Sequence, residues 1–297
     1  MKQHNEYSHA SYSEWKHGLF SYTQLAFLDV SPSEIELFWI LDGSAWPDLP
    51  QLLRGFGAAS NAWPLYLNTY LEEVRNSGPW LISCKPGMAL NDWVLEQLEF
   101  NPLGLLVYIE KYSNFIMFDH FQRLLECVLP NGKQGLFRYY DPRVLFGINT
   151  FEDGQYIRQV CGPALAIETW EPGRCLPIRI TQAIKDDYYT GIQALPQPLL
   201  NHLAIQTRMH TVINTLGGVT GTALRSHPLP EAYAFVQSIS NFFEGSLYQT
   251  NSDLAFAVAY SLLASDDKWE GTIEEKILKS SSKYSSLEQA FKAVFPA

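Results

Sequence analysis

The chain is short of cysteine and of basic residues, and it lacks a long apolar run. Its four cysteines in 297 residues (Cys84, Cys127, Cys161 and Cys175) form no C-x-x-C pair. Their spacing fits neither a zinc site nor a secreted disulfide framework, so reduced thiols in a cytoplasmic protein are expected. Lys and Arg total 21 against 31 acids, a formal charge of −10. Divided at Thr150, ten basic and sixteen acidic residues come first, and eleven and fifteen follow, so neither half is basic. That argues against nucleic acid and against an anionic membrane surface as partners. The longest apolar run, Leu254 to Ala264, contains Ser261 and is too short to span a bilayer, so no membrane insertion is expected. The opening M-K-Q-H-N-E-Y-S-H lacks the apolar centre of a signal peptide.

Motifs with a known chemistry are missing as well. There is no G-x-S-x-G elbow, no H-E-x-x-H and no calcium loop. The glycines of Leu216 to Thr222 lack the Walker lysine and read as a plain loop. His4, His9 and His17 are spaced for no metal pattern and belong to a frayed or surface-packed segment. His202 and His210 lie two helical turns apart without a nearby acid, so surface or core histidines are expected rather than ligands. Asp119-His120 could exchange a proton only with a nucleophile folded beside it; otherwise it is a helix position covering a sheet. No catalytic residue, cofactor or metal is therefore expected.

What the chain does have is aromatic residues, 14% of the total, which mean either thick aromatic cores, the favoured reading, or an aromatic-rich interaction surface. Leu37 to Leu41 reads as a strand ending at Asp42-Gly43, and Trp46-Pro47-Asp48 opens a short helix to about Gly55. Further strands are expected at Pro64 to Asn68 and Pro79 to Cys84, and a central one at Gly104 to Ile109. Leu90, Val94, Leu95 and Leu98 have helical spacing. A second helix follows a cap at Ser113 or Asn114, with Phe118, Phe121, Leu125 and Val128 on one face. Asn131-Gly132 predicts a hairpin with a type I′ turn, whose second arm is Leu136 to Tyr140. Another strand is expected at Ala164 to Trp170.

Beyond the Pro- and Gly-bearing stretch at Glu171 to Pro177 the pattern is helical. Glu231 to Phe243 carries Ala234, Phe235, Ile239 and Phe242 on one face, and Asp253 to Leu263 is apolar on most sides. Thr272-x-x-Glu275 and Ser285-x-x-Glu288 are capping boxes. The expected fold is an α/β N-terminal lobe with a mixed sheet, followed by a mainly α-helical C-terminal lobe. Its divisions are an N-terminal segment at 1–30, the α/β lobe at 31–175 and the helical lobe at 176–297.

Gly135 to Gly147, G-L-F-R-Y-Y-D-P-R-V-L-F-G, is the most distinctive stretch. Asp141 can cap a helix in which Pro142 takes the first position, and Arg138 and Arg143 flank Asp141 closely enough for one or both to pair with it. In order along the chain stand L-D-G-S-A-W-P (41–47), G-P-W-L-I-S (78–83), G-L-L-V-Y-I (104–109), H-F-Q-R-L-L (120–125), N-G (131–132) and F-R-Y-Y-D-P-R-V-L (137–145). This series resembles the bacterial type VI secretion effector adaptors, the family catalogued as domain of unknown function 4123, over roughly residues 37 to 150. The resemblance implies a non-catalytic adaptor or chaperone in the cytoplasm of a Gram-negative bacterium. Its partners would be a cognate toxin effector and the spike protein onto which that effector is loaded. Trp46, Arg138, Tyr139, Tyr140, Asp141, Pro142 and Arg143 are its signature residues here. They either present a patch to a partner or hold the strand-to-helix corner. A variable helical lobe would recognise the effector, with the α/β lobe as a shared platform. The competing readings are a hydrolase-type enzyme with an α/β cleft and a structural component of the secretion apparatus.

Overall fold

The computed structural model describes residues 12–19, 30–98, 101, 104–111, 113–151, 155–171, 176–181, 194–216, 229–242, 250–263 and 289. The expectations for His4, His9, Gly217 to Thr222 and the two capping boxes at Thr272 and Ser285 lie outside these residues. The chain divides into two compact units, Met1–Leu203 and Ala204–Ala297.

The first unit is an α/β structure built on a six-stranded sheet. Its elements are α1 (Tyr12–Gly18), β1 (Ile35–Asp42), α2 (Leu49–Gly55), β2 (Ala62–Pro64), β3 (Pro79–Cys84), α3 (Ala89–Leu98), β4 (Gly104–Glu110) and α4 (Asn114–Leu124). There follow β5 (Glu126–Val128), β6 (Gln134–Leu136), α5 (Pro142–Asn149), α6 (Gln155–Cys161), β7 (Ala166–Glu171), β8 (Leu176–Thr181) and the start of α7 (Gln197–Thr215). The strand order is β2-β3-β1-β4-β7-β8, and every pairing in that sheet is antiparallel. Among the described residues the parallel component is the bridge Val128↔Ala194, beside the separate β5–β6 hairpin. β4 is central, and its first six residues are buried, as a continuous apolar run requires.

Period-two alternation divides the sheet's side chains between two cores. Leu37, Trp39, Leu41, Ile82, Leu106, Tyr108, Ala166 and Trp170 form one core with α1, α2 and α3. Phe38, Ile40, Leu81, Leu105, Val107 and Ile167 are buried on the opposite face. The N-terminal segment is not merely surface-packed. Trp15 and Leu19 enter the first core, where Trp15 stacks on Trp170 with 5.4 Å between centroids. Trp15 Nε1 donates to the buried Glu168 at 2.6 Å, and Tyr108 Oη donates to the other carboxylate oxygen at 2.7 Å. A carboxylate taken out of water needs such donors, and here two aromatic residues supply them.

Two strand expectations need correction. β2 stops at Pro64 because the chain turns there: Leu67 N donates to Pro64 O, and Asn68 adopts a left-handed φ of 59°. Leu136 to Tyr140 is not a strand either, since β6 ends at Leu136 and Asp141 N bonds back to Arg138 O. Its aromatic residues are buried by a turn instead. The hairpin is present, but its turn is not type I′, because of its two central residues only Gly132 has positive φ (77°). Gly132 N donates to Leu129 O and Leu129 N to Lys133 O, a type I turn over Pro130-Asn131 with glycine in the following left-handed position.

The second unit is helical where described: the remainder of α7, α8 (Leu229–Phe242) and α9 (Asn251–Leu263). On α8 the buried stripe is Ala232, Val236 and Ile239, while Ala234 is exposed and Phe235 and Phe242 are half-buried. The expected face was therefore rotated toward the larger side chains, whereas the helix packs through smaller ones. α9 buries Leu254, Ala255, Ala257 and Val258, matching its all-round apolar sequence. It begins with a reciprocal cap: Asp253 N donates to Thr250 Oγ1 at 3.1 Å, and Thr250 N donates to Asp253 Oδ2 at 3.3 Å.

Candidate functional site

Two of the signature segments meet at one corner of the sheet. β1 ends at Asp42 opposite Pro79, the first residue of β3, and Gly43 N donates to Gly78 O at 2.9 Å. A Cβ on Gly43 would run into the Asn76 and Gly78 carbonyl oxygens, and one on Gly78 would enter the Tyr66 ring. Only glycine permits this close approach. The Asp42 carboxylate is 8% exposed. Its Oδ1 accepts from Ser44 N at 2.9 Å and Ser44 Oγ at 2.7 Å, which folds the chain away from the strand. Its Oδ2 accepts from Arg138 Nη2 at 2.6 Å, a charge-assisted bond across 96 positions of sequence.

The other side of the corner is the turn after β6. Tyr139 is fully buried: its hydroxyl donates to Phe121 O at 2.9 Å, and its ring stacks on Phe121 at 5.5 Å. Tyr140 stands edge-on to Tyr139, its hydroxyl 3.5 Å from that of Tyr66, and the Arg138 guanidinium lies 5.7 Å from the Tyr140 ring centroid. Burial raises the pKa of all three phenols, so they remain protonated hydrogen-bonding groups at neutral pH. Burial opposes the charge on Arg138 most strongly, but the attraction and hydrogen bond of Asp42, together with Tyr140 and Asp141, outweigh it and keep the guanidinium cationic.

Asp141 caps α5 as expected. It accepts from Arg143 N at 3.0 Å, Arg143 Nε at 2.8 Å and Arg143 Nη2 at 2.5 Å, while Pro142 occupies the first turn. The two arginines thus part company: Arg143 pairs with Asp141, and Arg138 crosses to Asp42. Of the seven signature residues, Tyr139, Tyr140, Asp141 and Pro142 are buried, Trp46 and Arg143 are half-buried, and Arg138 is exposed. Trp46 turns into the first core, 4.5 Å from Trp93 between centroids.

The Asp119-His120 pair is split by the helix. Asp119 is exposed and pairs with Arg123 at 2.9 Å, whereas His120 is buried with Nε2 3.0 Å from Val160 O. Gly162, at φ 53°, lies so close beneath the imidazole that a Cβ there would occupy the ring's position. Burial lowers the His120 pKa, against smaller opposing effects from the Val160 carbonyl and Asp119. His202 is half-buried, 3.0 Å from Thr150 Oγ1 and against the Phe151 ring, and His210 is buried on α7. Among the described residues no three His, Cys, Asp or Glu side chains are grouped to hold a metal ion.

Sequence reasoning missed a groove beside this corner. Phe38 and Leu81 from the sheet, Trp63 and Leu67 from the β2 region, and Phe115 and Phe118 from α4 line a cavity of about 270 Å³. Phe115 is 85% exposed in the first turn of α4. The loop that sends Tyr66 into the corner sends Leu67 into the groove, and Gln122 Nε2 holds it through the Leu65 and Leu67 carbonyls at 3.1 and 2.5 Å. The neighbouring charges pair within the chain, Asp119 with Arg123 and Glu72 with Arg75. The lining of the groove itself is apolar. The available signal was the i, i+3 pair Phe115 and Phe118. It was hidden because the expected apolar face began at Phe118.

Among the described residues no helix is long and apolar enough to cross a membrane. Comparison with curated proteins gives no match, and comparison with solved structures gives none. The stretch that contains the corner and the groove is nonetheless assigned as a unit: residues 37–155 carry a DUF4123 domain, a domain of unknown function.

Proposed function

We propose that this protein is a non-catalytic cytoplasmic adaptor that binds a toxin effector and helps load it onto the spike of a type VI secretion system. The observation that carries the reading is the DUF4123 match at residues 37–155, taken with the ordered series of segments that resembles the effector adaptors. The geometry supports a division of labour within that domain. Most signature side chains are turned inward, and their charges are paired at the corner. The groove around Phe115 offers apolar surface for an uncharged segment of the effector.

Affinity purification from the native host during active secretion tests the reading. Co-purification of a toxin and a spike protein, each identified by mass spectrometry, is the expected outcome. Recovery of neither partner while secretion is active would overturn it.

A further inference from the structure

We draw no further inference here: the strongest candidate, the outward face of the β5–β6 hairpin where Val128 and Leu136 are exposed, is an apolar face for which nothing in the structure shows what covers it.

Discussion

The corner and the groove share one loop, yet they treat their side chains in opposite ways. At the corner, Asp42 and Asp141 are buried, and each carboxylate accepts several donors and one guanidinium. A few residues away the groove leaves Phe115 almost wholly in water. Buried polar groups are costly when unsatisfied, so residues that satisfy one another this fully fix a geometry. Exposed apolar surface contributes little to folding and is available to a partner. The comparison teaches that the residues marking a domain can be largely buried and satisfied while a neighbouring surface of the same domain stays apolar and open.

The comparison breaks most violently at the glycines. Gly43→Ala must displace the Asn76–Gly78 backbone, and Gly162→Ala must displace the His120 ring in addition to adopting a positive φ. Each should cost about 3 kcal/mol or more, read as a lower urea midpoint at unchanged slope. A loss below about 1 kcal/mol would show that these approaches are not tight.

A double-mutant cycle comes next. Removing Arg138 should destabilise by roughly 1–3 kcal/mol, because the buried Asp42 carboxylate is left without its charged partner. Coupling energies of about 1 kcal/mol are expected within Arg138–Asp42 and within Arg143–Asp141, and smaller values between Arg138 and Asp141, which share an attraction but no ion pair. A coupling between Arg138 and Asp141 as large as that within Arg138–Asp42 would contradict the observed pairing.

Acid should act under α4. Burial holds His120 below the ordinary histidine pKa, so the folded state binds fewer protons there than the unfolded state. Stability is therefore highest above the unfolded value of about 6.5 and declines as pH falls toward the folded value, by up to about 1.4 kcal/mol per pH unit. His202, also lowered by burial, adds in the same direction. Thermal unfolding between pH 7.5 and 5 should show the decline, with a shallower slope in His120→Gln. An equal slope in that variant would remove His120 from the explanation.

The smallest expected effect lies at the groove. Phe115→Asp should change stability by less than about 0.5 kcal/mol, since the site is exposed and an acid in the first turn suits the helix dipole. A larger loss would make Phe115 part of the architecture.

Much of the first unit was legible because its signals are local. Pro79–Cys84 and the core face of α3 follow directly from apolar periodicity, and the α5 cap follows from Asp141-Pro142. The missed features depend on distant neighbours. Nothing near Arg138 in sequence points to Asp42, and Trp15, in a segment expected to be frayed or surface-packed, finds its partner Glu168 153 positions away. The aromatic run at Phe137 to Tyr140 has high strand propensity, but tertiary bonds to Leu125, Phe121 and Asp42 bend it into a turn. The domain's core also extends beyond the 37–155 match, which includes most of β1 and all of β2 to β4 but leaves out α1, β7 and β8.

The most direct test of the division between corner and groove pairs two readouts on two variants, Phe115→Asp and Arg138→Gln. Each is purified from the native host during secretion, and its urea midpoint and the amount of co-purifying effector are measured together. The account predicts that Phe115→Asp keeps its midpoint and loses the effector. It predicts that Arg138→Gln lowers the midpoint and, at temperatures where it remains folded, still retains the effector. Retention by folded Phe115→Asp together with loss by folded Arg138→Gln would contradict it and move the contact to the corner.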